Sequence, residues 1–488
     1  MRNNIVNVIF TRFSLLVFFS FLFIKNQAQS IDENPIQLNA QDIISNTSTN
    51  FIITDIIISG NRKTKDYIVL REMKMKKGDE IIPSQLFRRL SDSRDLIYNT
   101  TLFSIVELTP VFGDSNRIMI KVNLVERWYI YPSPVFKLAD RNFNEWYKTN
   151  KADFERVTYG VKFSHNNLTG RGDELNIFLL NGYSRNFTVG YSLPYANRNL
   201  TLGVSFKAGY LENREVAYKT SYYNKILTYK NNYLDKSSLY IGGTIRYRRN
   251  YYKSHIFSIL YTYTKINDTL LTKYFNPNYF NLNKAKVSYF DFNYKFKYIK
   301  TDNINYPLKG KIYEIGISKR DLGIAGGLNM LLLGVSYNRY YKHSRGFYSS
   351  FEGLSNIKLP FKQAYINQGA MGYGNFYLSG LEYYVIDGVA NGIAKFKLKK
   401  KIFEVNIPLP VKSKTFPFIP LTIFAKTFVN SGFAYNKKEY ETRLNNKMLG
   451  TYGFGIDILT LYDVNLNLEY SFNQLGEKGL FLHFKGSL

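Results

Sequence analysis

Four histidines, His165, His255, His343 and His483, are spread along the chain, and none stands three or four residues from another. That spacing brings metal ligands to one helical face, so the sequence alone offers no metal centre. The cysteine count is 0, which excludes disulfides, thiolate zinc sites, cysteine nucleophiles and a lipidated cysteine anchor. No G-x-S-x-G nucleophile elbow and no G-x-x-x-x-G-K-[ST] phosphate loop occurs. "GYGNFYLSG" has spaced glycines but no strand-to-helix context to cradle a phosphate. Arg171-Gly172-Asp173 spells an adhesion tripeptide, yet it lies between two alternating strands and reads as a turn. The expectation is a protein that is not an enzyme and uses no cofactor.

One segment stands apart from this. "LSGLEYYVIDG", residues 378–388, places Glu382 and Asp387 in a chain whose formal net charge is +28. Isolated acids in so basic a protein need cationic neighbours or water, and which they have depends on the elements around them.

Lys+Arg number 65 against 37 Asp+Glu, and aromatics reach 17% of 488 residues. Bases stack on aromatic rings above cationic grooves, but here the rings alternate with polar residues along strands and do not cluster with the cations. A nucleic-acid partner is therefore not expected. Residues 1–29 read as a signal peptide, with Arg2 and Arg12 near the start of an apolar run, Phe13 to Ile24, and a polar exit at Asn26 to Gln29. The run is too short for a spanning helix, and no later stretch is long enough. Residues 30–50 are polar and aperiodic, as in a linker.

From Phe51 the pattern changes. "FIITDIIIS" is a β-branched strand stopped at Gly60-Asn61. Thr64 is placed to cap a helix through Ile68, Leu70 and Met73, ending near Gly78. Pro83-Ser84 opens a second helix with Leu86, Leu90 and Ile97 on one side. Strands Phe103 to Val111 and Arg117 to Glu126 follow, the latter with Ile118, Ile120, Val122 and Leu124 on one face. Residues 51–134 thus form a small β-α-α-β-β module.

From Val135 onward only strands are expected. In "YFDFNYKFKY" the rings of Phe290, Phe292, Tyr294, Phe296 and Tyr298 oppose Asp291, Asn293, Lys295 and Lys297. "DVNLNLEYSF" and "GLFLHFKGSL" alternate in the same way. Ten-residue strands with one apolar face and one polar face fit a closed barrel with lipid outside and a wet lumen. At about 22 residues per strand, residues 135–488 give about 16 strands, within a range of about 14 to 18. The fold class is mainly β: an antiparallel transmembrane β-barrel preceded by one small periplasmic domain.

The module resembles a POTRA domain of the Omp85 superfamily through "IIISGNRKTKDYIVLREM", "KKGDE", "DLIYNTTLFSIVEL" and "IMIKVNLVERWYIYPSP". The barrel half is similar in "NNLTGRGDELNI", "YSLPY", "DNINYPLKGKIY", "FVNSGFAYN" and the closing strand, as in members with one POTRA unit and a surface-antigen D15-type barrel. The resemblance implies that residues 378–388 are the family's lumenal loop, whose tip usually reads aliphatic-Arg-Gly-aromatic. Here it reads Leu378, Ser379, Gly380, Leu381. The aspartate that arginine meets, in Phe-x-Asp-x-Gly, is Asn430 between Phe428 and Gly432. Both charges are absent together. Losing one end of a buried pair costs about 3–5 kcal/mol, whereas losing both is near neutral. Two readings stay open: an uncharged latch through Ser379, Asn430 and Gly380, or a loop that no longer docks. Glu382 and Asp387 would pair with lumenal cations or stand in water.

By the same resemblance the chain is an outer-membrane protein of a Gram-negative bacterium that assembles or translocates other proteins. Unfolded outer-membrane or secreted clients would add a strand to the module's edge and pass to a weak seam. That seam is expected between Val157, Tyr159 and Val161 and the last strand, Leu480, Leu482, Phe484 and Leu488. Other partners are the lipid bilayer, lipopolysaccharide and periplasmic accessory proteins. The alternatives are a passive porin or uptake channel and an adhesive surface barrel whose cations hold lipopolysaccharide phosphates.

Overall fold

A computed structural model describes residues 49–485, apart from 115, 139–150, 152, 232, 323–327, 375 and 409–417. The expected signal peptide, almost all of the linker, and Gly486 and Leu488 lie outside the described residues. Two compact units are present; of the described residues one holds 49–51 with 80–86 and the other 52–79 with 87–485. Among the described residues the first contributes the short strand β2 (Glu80–Ile81) and a 3₁₀ turn, Pro83–Gln85.

The α/β domain is built from β1 (Phe51–Ser59), α1 (Asp66–Glu72), α2 (Leu86–Tyr98), β3 (Phe103–Phe112) and β4 (Arg117–Glu126). β4 pairs parallel with β1 and antiparallel with β3. Alternation along β4 sends Ile118, Ile120 and Val122 inward, where they are fully buried, as are Ile68 of α1 and Ile97 of α2.

Two local expectations are corrected. α1 stops at Glu72, well before Gly78, because Met73 is extended. The following segment then turns back to β1, with Gly78 N–H donating to Ile53 O at 2.8 Å and Ile53 N–H to Asp79 O at 3.0 Å. Thr64 does not cap the helix. Its hydroxyl donates to Glu126 Oε1 at 2.7 Å, and the same oxygen accepts the Thr64 N–H at 2.7 Å.

The barrel strands are β5 (Ile130–Leu138), β6 (Val157–Asn166), β7 (Glu174–Gly182), β8 (Ser184–Leu193) and β9 (Leu202–Asn213). A hairpin of β10 (Glu215–Thr220) and β11 (Ile226–Lys230) stands outside the main sheet. Then come β12 (Lys236–Tyr247), β13 (Lys253–Ile266), β14 (Lys286–Thr301), β15 (Gly310–Arg320), β16 (Met330–Lys342) and β17 (Phe347–Leu359). Two short strands, β18 (Gly369–Met371) and β19 (Ile386–Asp387), pair with each other in the long loop that follows. The sheet ends with β20 (Ala390–Pro408), β21 (Phe418–Tyr435), β22 (Met448–Leu459), β23 (Asn465–Asn473) and β24 (Lys478–Lys485).

Sixteen strands form one antiparallel sheet running from β5 to β24 in chain order, with the two hairpins left out. Register fixes which faces meet. Phe292 and Tyr294 of β14 lie opposite Ile259 and Phe257 of β13, which are about half exposed and form part of the apolar outer band. Asp291 faces inward, where Arg320 Nε reaches Oδ1 at 2.8 Å. Outward aromatic and aliphatic residues with inward ion pairs are the arrangement of a barrel in lipid. No helix among the described residues is long and apolar enough to cross a membrane.

β5 begins at Ile130, ahead of the expected boundary at 135. Its sequence "IYPSPVFKL" carries two prolines, which hid a strand. Proline is tolerated on an edge strand where its missing N–H faces away from the partner. Val157, Tyr159 and Val161 consequently lie on β6, paired with both β5 and β7, and are not at the sheet's end.

Candidate functional site

The loop between β17 and β20 folds against the inner wall formed by β21 to β23. Leu378 and Leu381 are buried in a cluster with Met371, Ile386, Ile393 and Ala434. Gly432 on β21 makes room for this: a Cβ there would stand 2.8 Å from Leu378 Cδ1 and 3.2 Å from Met371 Sδ. Gly380 has φ +95°, a conformation that favours glycine, and lies close to Ser471 and Phe472 of β23. Its carbonyl accepts from Asn473 Nδ2 at 2.8 Å, and its N–H donates to Glu382 Oε2 at 2.7 Å.

The residues expected to hold the tip together have other partners. The Ser379 hydroxyl faces the Glu469 carboxylate of β23. Asn430 is buried and donates from Nδ2 to Thr451 Oγ1 at 3.0 Å. Phe428 is also buried, its ring beside Gly453, where a Cβ would come within 2.7 Å of it. Asp387 accepts a hydrogen bond from Tyr373 at 2.5 Å, and Lys358 Nζ bridges the loop backbone at Gly369 O, 2.6 Å, and Gly388 O, 3.2 Å.

Below the tip lies a ladder of lumenal charges. Lys426 of β21 contacts both Asp457 of β22 and Glu469, the latter at 2.6 Å. Lys399 of β20 reaches Asp457 at 2.9 Å, and Lys397 reaches Glu352 at 2.9 Å. Tyr306 adds its hydroxyl to Asp457 Oδ2 at 2.7 Å. These groups and the loop tip line a cavity of about 870 Å³. The ladder has a visible sequence signal in the alternation Lys395, Lys397, Lys399.

The two ends of the sheet form the other part of the site. Among the described residues β24 pairs only with β23, and β5 only with β6. Leu480, Leu482 and Phe484 of β24 point outward and are about two-thirds exposed, while His483 points into the lumen. Leu488 lies outside the described residues.

The α/β domain meets the barrel at its turns. Glu72 is fully buried and receives Arg248 through two bonds, 2.6 and 2.7 Å, with the Tyr195 hydroxyl at 2.7 Å. Arg127 Nη2 reaches Asp463 Oδ2 at 2.8 Å, and Tyr98 donates to Asp463 Oδ1 at 2.8 Å. Burial pushes the Asp463 carboxyl up, but the Arg127 charge with hydrogen bonds from Arg127, Tyr98 and Asn303 outweighs it, and its pKa lies below the ordinary value. In the Arg171-Gly172-Asp173 turn, Gly170 approaches Lys63 so closely that a Cβ would be 2.2 Å from its carbonyl oxygen. "LTGRGDE", "SLPY" and "DNINYP" are therefore turns that receive this domain, a role that pattern alone does not disclose.

Residues 51–127 match the POTRA family model, described as a surface antigen variable number repeat. The outer membrane protein assembly factor BamA of Neorickettsia risticii is 30% identical over 162 residues, 30% of this chain and 20% of that protein. The chain thus aligns with about a fifth of that relative. Among solved structures, BamA from Haemophilus ducreyi lacking POTRA domains 1–3 has a TM-score of 0.49 at 15% identity, covering 88% of this chain and 83% of that one. CdiB from Acinetobacter baumannii has a TM-score of 0.46 at 12% identity, covering 89% and 73%. Residues 51–127 thus match the POTRA family and lead into a sixteen-stranded antiparallel sheet, the order of parts that the resemblance to the Omp85 superfamily implies.

Proposed function

We propose that this chain is an assembly or secretion factor that hands extended client segments to a seam between β5 and β24. The observation that carries this reading is that the two terminal strands each have one partner among the described residues. β5 adds to it: Pro132 and Pro134 pair with β6, which turns their donor-less nitrogens toward the edge away from β6. A seam short of donors holds fewer hydrogen bonds and opens at lower cost than any other strand pair.

In the POTRA domain β3 is paired on one side only among the described residues. Its outer edge offers backbone groups to an incoming strand without demanding a sequence. Clients would be outer-membrane or secreted proteins; periplasmic accessory proteins and lipopolysaccharide are further partners of this reading, and no catalytic step belongs to it. The relative named as an assembly factor supports it over the porin alternative. So does the loop packed into the lumen, which occupies space that a passive pore leaves open.

Depleting the protein in its native bacterium and quantifying the outer-membrane proteome tests the proposal. Loss of particular barrels or surface proteins is expected, with their unfolded forms in the periplasm. An unchanged proteome with altered solute uptake would overturn it in favour of a channel.

A further inference from the structure

Three side chains from three elements converge beside the loop tip: Glu382 of the loop, Glu469 of β23 and His483 of β24. Their facing atoms all lie within 4.8 Å of one another. His483 Nε2 is 3.4 Å from Glu382 Oε1 and 3.9 Å from Glu469 Oε2. Beyond these contacts with one another the three atoms, all buried, have no hydrogen-bond partner; Glu469 as a whole is 6% exposed, and the Ser379 hydroxyl also faces its carboxylate. Buried polar atoms are satisfied in the great majority of cases, and one cation held between these three would satisfy all of them at once.

The remaining atom of each group is tied down. Glu382 Oε2 accepts from Gly380 N–H at 2.7 Å, and Glu469 Oε1 accepts from Lys426 at 2.6 Å. His483 Nδ1 lies 3.1 Å from the Tyr377 hydroxyl, whose ring stacks on the imidazole. A proton on Nδ1 leaves the Nε2 lone pair free, as in metal sites where a second hydrogen bond orients the ligating imidazole.

We propose that Glu382, Glu469 and His483 form a binding site for a divalent transition ion of the zinc class. One nitrogen and two carboxylate oxygens suit zinc, whereas magnesium and calcium prefer all-oxygen shells. Zinc–ligand bonds of about 2.0–2.1 Å in a tetrahedron place donors about 3.3 Å apart, close to the 3.4 Å between His483 and Glu382, while Glu469 at 3.9 Å would have to move inward. Three protein ligands leave the fourth position to water. The two carboxylates also supply the negative charge that a dication needs among Lys395, Lys397 and Lys426.

A bound ion would join the lumenal loop to the last strand of the sheet, and so couple loop docking to the order of β24. The site stands on its own geometry and does not depend on the assembly reading.

The test uses the purified full chain in micelles or nanodiscs, titrated with Co²⁺ while its visible absorption is followed, and then with Zn²⁺ in competition. The expected result is one saturable site per chain with a tetrahedral Co²⁺ spectrum that Zn²⁺ displaces. Tyr377→Phe should weaken binding by roughly 10–100-fold, the range for a group that orients a ligand, and His483→Ala by more. Glu382→Gln, in a loop and outside every barrel strand, should also abolish the spectrum, while His343→Ala should leave it unchanged. Absence of a saturable site in the unaltered chain, or an affinity in His483→Ala and Glu382→Gln equal to that of the unaltered chain, would overturn the proposal. Failure here leaves client handling untouched, and an unchanged proteome on depletion leaves this site untouched.

Discussion

Arg127 at the end of the POTRA domain and Asp463 in the turn before β23 form an ion pair of 2.8 Å with both side chains about 95% buried. The guanidinium also lies 5.4 Å from the rings of Tyr98 and Tyr462. A charge buried this deeply is stable only with its partner. Arg127→Ala should destabilise the docked domain by about 3–5 kcal/mol, because it strands the Asp463 carboxylate. Arg127→Met with Asp463→Asn should recover most of that loss. Release of residues 51–127 by limited proteolysis reads both variants. Equal release from the single and double variants would contradict the account.

The pH response of the same domain has two parts of opposite sign. Asp95 of α2 has its carboxyl raised to about 6, chiefly by burial, against the Arg94 charge and with help from Asp302. Burial raises Asp302 as well. A carboxyl raised in the folded state adds stability that is complete below its unfolded value of about 3.9 and is lost as pH rises to about 6. Asp463 is lowered and acts the other way: its contribution is present above about 3.9 and is lost as pH falls through its folded value. Asp95→Asn should therefore flatten the decline in stability between about pH 4 and 6 and leave the acid limb in place. Unfolding of the two forms across that window checks it; parallel curves would refute the assignment.

Gly170 holds φ +83° with Lys63 O in the way of any Cβ. Gly170→Ala should cost at least about 1–3 kcal/mol from backbone strain alone and loosen POTRA docking while the barrel stays folded. Hydrogen exchange should rise around residues 60–66 and not in β12 to β16. No local change would show that this close approach is not needed.

Leu378 fills the space left by Gly432. Leu378→Ala should cost about 2–5 kcal/mol of loop docking, seen as faster exchange over residues 369–388 with barrel strands unaffected. Ser379→Arg should couple to Glu469, which Ser379 faces, and a double-mutant cycle of Ser379→Arg with Glu469→Gln should show it. Coupling with Asn430→Asp alone would restore the partner expected from sequence.

Much of the fold is legible because a period of two leaves a plain trace wherever one face meets lipid and the other water. Phe292 and Tyr294 against Asp291 and Asn293 give both the strand and its orientation. The trace fails where another constraint intervenes. Pro132 and Pro134 disguise β5, so sequence pattern alone puts the sheet's first strand at β6. Thr64 has the chemistry of a cap, yet Glu126, distant in sequence, takes its hydroxyl. The loop's glycines signal a tight tip, but the partners of Ser379 and Asn430 are set by strand register, which no local pattern encodes. Glu382, Glu469 and His483 meet only because the loop turns inward onto the last two strands, so their spacing in the chain carries no sign of a cluster.

The most direct test of the central claim is to lock the seam. The chain has no cysteine, so a pair introduced across β5 and β24 forms the only possible disulfide. In a depleted strain the locked protein should insert in the outer membrane yet fail to restore its client proteins, and reductant should restore them. Full restoration by the locked form, with the crosslink verified, would show that clients do not pass through this seam.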